Sequence, residues 1–232
     1  MKSEKKNELE IRKASSYDIK YPESQYLDVK KQKKIQKAVN DGGISIGVNT
    51  YISESELPKL LSTDRKGVTN IMMEIKSPEE DLRMIGNTEY MSTPQLQKEI
   101  SKRRQQMRSI TEQEELRYSQ ECIDAFLSNE ELSKKRAIEA DKIKKNRSRI
   151  GTDTIKARRS TVSELSGRPL NGNAEVHHKD RIADKPERAF DSSNLTVMTK
   201  DEHAQYHKSK YPQNEKGYEQ FKKDYLKKTD NK

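Results

Sequence analysis

Ala174-Glu175-Val176-His177-His178, followed by Asn194-Leu195-Thr196-Val197-Met198-Thr199 and then by His203 and His207, is the stretch that decides how this chain folds and what it does. It holds all four histidines, gathered in the last quarter of 232 residues. Adjacent residues on a strand point to opposite faces, whereas residues four apart on a helix share one. His177 and His178 should therefore diverge, and His203 and His207 should converge. Ala174 to His178 reads as a short strand, Lys179 to Ser193 as a polar loop containing Pro186, and Leu195 to Met198 as a second β-prone run. Thr199 and Glu202 have the spacing of a capping box, which satisfies free N–H groups at a helix start, and Pro212 limits how far that helix runs. The unit is strand, loop, strand, helix.

The paired histidine, the central asparagine and the HxxxH helix, in that order, resemble the HNH nucleases and are similar to the nuclease domains of the colicin and pyocin bacteriocins. The resemblance covers Arg168 to Lys210, roughly a fifth of the chain. It implies a two-stranded hairpin with a helix packed across it around one metal ion. The bacteriocin domains carry a glycine pair in the loop after the double histidine, whereas Lys179 to Ser193 holds no glycine.

The chemistry of the residues agrees with that implication. Imidazoles from His177, His203 and His207 can hold a divalent ion and leave positions open for water and phosphate, as a catalytic rather than a closed structural site does. His178 would stay unligated, and the ordinary imidazole pKa near ~6.5 suits a general base at neutral pH. Asn194, in the resemblance, ties the loop to the first strand and fixes the base; its amide both donates and accepts. Glu175 lies on the His177 face and is expected to pair with an arginine that contacts phosphate, Arg168 being the candidate. A solvated strand carboxylate is an equal reading of Glu175. Imidazole ligands suit Zn and Ni, and Mg or Mn stay open as the ion of turnover. Neither HxxxH nor a double histidine says much alone; their joint occurrence around Asn194, with no histidine elsewhere, carries the site.

The net charge is +9, unevenly placed: residues 141–232 hold 22 Lys and Arg against 14 Asp and Glu, and residues 1–140 hold 25 against 24. Lys144, Lys145, Arg147, Arg149, Arg158 and Arg159 lie just upstream of the motif and, with Arg168, are the candidate contacts to a DNA backbone. Such runs are otherwise solvated helix faces. With 30% hydrophobic residues and no Trp, several small modules fit better than one large core. The expected organisation is α+β, mostly helical: residues 1–23 a disordered tail, 24–92 a small mixed α/β module, 93–150 a helical connector ending in the basic run, 151–210 the C-terminal ββα-metal (HNH) module, and 211–232 a C-terminal helix or tail.

Within these bounds, Ile44 to Ile52 reads as strand, and Glu54 to Leu61 and Gly67 to Ile75 read as short helices that resemble a helix-turn-helix only vaguely. Few basic residues fall in the would-be recognition helix, so a packing or partner-binding module is preferred. Thr111 with Glu114 and Ser128 with Glu131 have capping-box spacing. Tyr118, Cys122, Ala125 and Phe126 form one apolar stripe, with Leu116, Ile123 and Leu127 beside it, the seam of a helical hairpin in which Cys122 is buried. Thr154 to Ser166 reads as a further short helix, and Tyr218, Phe221 and Tyr225 should dock a C-terminal helix. No internal repeat is evident. The first residues lack a continuous apolar segment, so neither a signal peptide nor a membrane span is expected, and the chain reads as cytoplasmic.

Three functions fit: a metal-dependent DNA endonuclease in a phage, restriction or mobile-element setting; a bacteriocin-like toxin neutralised by an acidic immunity protein; and a DNA-binding regulator in which the site only holds zinc. The first is preferred.

Overall fold

The computed structural model describes residues 10–76 and 78–230. The chain is α+β and divides into two compact units, Met1–Arg136 and Ala137–Lys232. No helix among the described residues is long and apolar enough to cross a membrane.

In the first unit β1 (Ile11–Lys13) lies beside β2 (Gly43–Ile46), which turns back as β3 (Asn49–Ser53), while β4 (Leu82–Ile85) and β5 (Thr88–Ser92) form a second hairpin. The sheet is antiparallel in the order β1-β2-β3-β5-β4. Helices α1 (Val29–Gly42), α2 (Leu57–Leu60), α3 (Arg65–Met73), α4 (Pro78–Asp81), α5 (Thr93–Arg104) and α6 (Ile110–Leu127) complete it with the first turns of α7 (Glu130–Arg158). Its core joins Ile52 and Met91 of the sheet to Ile35 and Val39 of α1, Leu96 and Ile100 of α5, and Leu116, Tyr118, Cys122 and Phe126 of α6. Most of the expected seam is thus buried, with Ala125 and Leu127 half-buried, and burial pushes the Cys122 thiol up to about 12.

An internal repeat, not evident in the sequence alone, is plain in the fold. β2 and β3 recur as β4 and β5 thirty-nine positions later with identical lengths. At that offset Ile46, Gly47, Tyr51, Ser53 and Leu57 match Ile85, Gly86, Tyr90, Ser92 and Leu96. Gly47 and Gly86 take positive φ at the two hairpin turns, a conformation that costs other residues dearly. β3 and β5 pair as Tyr51↔Ser92, Ile52↔Met91 and Ser53↔Tyr90, so a local two-fold passes through the Ile52–Met91 pair. On the other sheet face the equivalent residues Ile46 and Ile85, Tyr51 and Tyr90 share a smaller apolar cluster. The repeat escapes the sequence because its apolar residues are few and its helices diverge after the hairpins.

Several expectations are corrected here. The tail of residues 1–23 is ordered from Ile11 onward, where β1 pairs with β2 and Ala14 and Tyr17 are buried; residues 1–9 lie outside the described residues. Residues 24–92 and the expected 93–150 connector are not module and connector: as far as Arg136 they share one core, because α5 and α6 cover the sheet that α1 also covers, and residues 137–150 belong to the second unit, which starts before the expected 151. Ile44 to Ile52 is a hairpin rather than one strand. The cap at α6 is Ser109 with Glu112, and at α7 Asn129 Oδ1 accepts from the Glu131 N–H at 3.0 Å. The expected helix at Thr154 to Ser166 is the end of α7 followed by a loop, which turns where Arg159 takes positive φ.

In the second unit β6 (Ala174–His178) pairs with β7 (Leu195–Thr199) in the register Ala174↔Thr199 through His178↔Leu195. Helix α8 (Lys200–Lys208) follows at once and α9 (Glu215–Asp230) returns. Glu175, His177, Thr196 and Met198 share the face covered by α8, and Tyr206 of α8 packs with Met198, Leu165 and the α9 residues Tyr218 and Phe221. Val176 and His178 lie on the opposite face, where Gly151 of α7 approaches Val176. Residues 211–230 of the expected C-terminal helix or tail are therefore part of the module, and 231–232 lie outside the described residues.

Candidate metal centre

The hairpin and α8 place three of the four imidazoles as the motif leads one to expect. His177 leaves β6 on the α8 side; His203 and His207, four apart, leave α8 toward it. The Thr199 hydroxyl accepts the Glu202 N–H, and the Glu202 carboxylate accepts the Thr199 N–H at 2.9 Å, the expected capping box. That cap fixes where α8 begins and therefore which face carries the two histidines.

One ring nitrogen from each of His177, His203 and His207 falls within 4.8 Å of the others. His203 Nε2 stands 3.1 Å from His177 Nδ1 and 2.9 Å from His207 Nε2. Two nitrogens each bound to one ion at about 2.0–2.1 Å, with an angle of about 90–100° between them, stand about 2.9–3.2 Å apart, so the cluster fits a single cation. His203 Nδ1 lies 2.5 Å from Glu175 Oε2. An ionised carboxylate only accepts, so Nδ1 carries the proton and the Nε2 lone pair faces the cluster, the carboxylate–histidine arrangement that orients metal ligands. His177 is buried and packs edge-on to Tyr206, their centroids 4.9 Å apart. Burial, then His203, His207 and His178, push its pKa down to about 3, and burial and His203 also lower His207. Both are neutral at physiological pH, the form that binds cations. His207 is exposed, so the cluster opens to solvent on that side.

His178 is held apart. Its Nε2 lies 3.0 Å from the Ala189 carbonyl oxygen, which only accepts, so Nε2 is protonated and Nδ1 is left as the basic atom. The loop that presents Ala189 is organised by Asn194, which is fully buried. Its Nδ2 donates to the Asp180 and Arg188 carbonyls, both at 3.1 Å, and its Oδ1 accepts the Asp180 N–H at 2.7 Å. Lys179 N–H donates to the Asn194 carbonyl, closing the loop onto the end of β6.

A glycine-free loop needs another device to hold it, and Asp180 supplies one. Only 2% exposed, it accepts from Lys185 Nζ at 3.1 Å, from the Arg188 guanidinium and from the Glu215 N–H at 3.0 Å. Burial works against the charge, yet the Glu215 N–H, Lys185 and Arg188 hold the carboxyl below its usual range. Asp180 and Arg188 escaped sequence reading; the visible signal was a lone aspartate after the histidine pair with cations five and eight residues on. Beyond its capping role, Glu202 accepts from Ser163 at 2.6 Å and from Ser166, tying the loop after α7 to α8.

Two expected roles change. Glu175 pairs with His203 and not with Arg168, which is exposed, because the strand face it shares with His177 turns toward α8. Arg158 is spent inside the module: its guanidinium donates to both Glu164 oxygens at 2.7 and 2.8 Å, to the Leu195 carbonyl and to Ser192. Lys144, Lys145, Arg147, Arg149 and Arg159 are exposed as expected. Helical spacing fans the first four around the solvent side of α7 instead of aligning them, since Ile150 and Asn146 face the module.

Comparison of the chain with protein-family models, curated proteins and solved structures finds no match.

Proposed function

We propose that this protein is a metal-dependent endonuclease of the HNH type that hydrolyses DNA phosphodiester bonds. The observation that supports the proposal is the partition of four histidines: three converge nitrogen to nitrogen, with Glu175 behind one of them, while the fourth is anchored through Nε2 to the Ala189 carbonyl.

A divalent ion held by His177, His203 and His207 would polarise the scissile phosphate and stabilise the leaving 3′ oxygen. The remaining chemistry belongs to side chains of this chain. His178 Nδ1 takes a proton from water as the water oxygen bonds to phosphorus and the bond from phosphorus to the 3′ oxygen breaks; the departing 3′ oxygen takes a proton from solvent, and 5′-phosphate and 3′-hydroxyl ends result. The Ala189 carbonyl holds the imidazole in the required tautomer and orientation, and Asn194 holds Ala189 by bracing its loop. Lys144, Lys145, Arg147, Arg149, Arg159 and Arg168 supply phosphate contacts that position the duplex without reading it.

The test is incubation of supercoiled plasmid with the purified protein and Mg, Mn, Zn or Ni in turn, with the ends mapped. Cleavage to 5′-phosphate ends by the wild type and its loss in His178→Ala are expected. Equal activity in the two proteins would refute the assignment.

A further inference from the structure

The first unit carries a face that the metal centre does not use. The sequence starts the helix after the turn at Gly67, which leaves the two preceding cations outside it. In the structure Asp64 caps α3, its Oδ1 accepting the Gly67 N–H at 2.7 Å, and the helix begins at Arg65. Arg65 and Lys66 thereby become its first two residues. α2 and α3 are joined by Leu61 to Asp64, a turn of the length that joins the two helices of a helix-turn-helix, with Ser62 at positive φ. Leu57, Leu60, Leu61, Val68 and Met72 pack the pair into the core.

Opposite that packed side, α3 exposes Arg65, Lys66, Thr69, Asn70 and Met73, which at helical spacing span an arc of about 140°. The side chains of Arg65, Lys66 and Asn70 make no hydrogen bond or ion pair among the described residues, and α3 itself holds no acid. Of the flanking acids, Asp64 is engaged as the cap and Glu74 faces Lys102 Nζ at 3.6 Å. Arginine and asparagine are the side chains that make paired hydrogen bonds to guanine and adenine edges in the major groove. Residues at the start of the second helix are those that reach bases in this motif.

A second observation points to the same polyanion. On α1, Lys30, Lys33, Lys34 and Lys37 are exposed at i, i+3, i+4 and i+7, so they form one stripe, and none has an ion-pair partner among the described residues. Lys31, off that stripe, is the one paired, with Glu115 at 2.7 Å.

We infer that the first unit is a second, sequence-reading DNA site: α3 lies in the major groove with Arg65 and Asn70 on base edges, and the α1 lysines hold phosphates. The site is independent of the nuclease reading, since it requires neither the ion nor His178. The experiment uses full-length His178→Ala protein in EDTA, so that no cutting occurs, to select duplexes from a pool with a randomised centre. A shared short sequence should be enriched. Adding Arg65→Ala or Asn70→Ala should erase the preference at particular positions, reducing discrimination there about tenfold. Adding Lys33→Ala, Lys34→Ala and Lys37→Ala should instead weaken binding to every sequence and reduce the salt slope by about three. Thermal melts of each variant report its folding, since all these side chains are exposed. No enrichment, an unchanged preference in the α3 variants, or a uniform affinity loss in them would overturn the inference; the first outcome would make the face a protein contact. Failure of plasmid cleavage would leave it standing.

Discussion

At His203 both ring nitrogens are committed, one to Glu175 and one to the cluster, and that commitment sets the tautomer on which the proposed metal centre depends. Removing the carboxylate leaves the ligand in place but frees its orientation, so Glu175→Ala should weaken ion binding about 10–100-fold without abolishing it. Competition with a chelating dye measures this; unchanged affinity would make Glu175 a bystander. One position along β6 the strand pleat turns His178 to the other face, where it touches the Ala189 carbonyl and not the cluster. His178→Ala should therefore reduce turnover by about 10²–10⁴-fold, read as the single-turnover rate under saturating ion. Rates within a few-fold of wild type would assign the base elsewhere.

The ββα unit was legible as an element because its signals are local: strand alternation, the Thr199–Glu202 cap and the four-residue histidine spacing all act within a few residues of one another. The loop between the strands was not, since its order comes from Asp180, whose partners are distributed from Lys185 to Glu215. Nor was the role of Arg158, whose acceptors lie six and more than thirty residues away. Arg158→Ala should accordingly lower unfolding stability by about 2–3 kcal/mol while leaving the salt dependence of DNA binding unchanged. A lost phosphate contact would show the reverse. Asp180 and Glu202 both have carboxyls held below their ordinary values of 3.8 and 4.5, Glu202 by Ser163, Ser166 and Thr199 against the cost of burial. A depressed folded-state pKa adds stability that is complete above the unfolded value and is lost as pH falls through the folded one. Acid titration followed by circular dichroism should show the second unit weakening below about pH 4.5, with the slope shallower in Glu202→Gln. An identical slope would mean that other carboxylates govern acid unfolding.

For the whole molecule, composition assigned the cation excess to residues 141–232, and the near balance of 1–140 hid the segregation within the first unit. Some acids there are drawn into caps and pairs, among them Asp28, Asp64 and Glu115, and Lys30, Lys33, Lys34 and Lys37 on α1 have no ion-pair partner among the described residues, which only the helix phase and the ion pairs disclose. The thirty-nine-residue repeat was hidden for a similar reason: its signature is a pairing register more than a string of identities. Both units carry exposed cations, so the proposed DNA binding should weaken steeply with salt, each removed phosphate contact lowering the log–log slope by about one. Calorimetric titration of Ni into wild type, His178→Ala and His203→Ala tests the partition of the four histidines directly. One ion per chain is expected in the first two proteins and none at comparable affinity in the third. Equal binding by His178→Ala and His203→Ala with no loss in either, or no binding by the wild type, would contradict it.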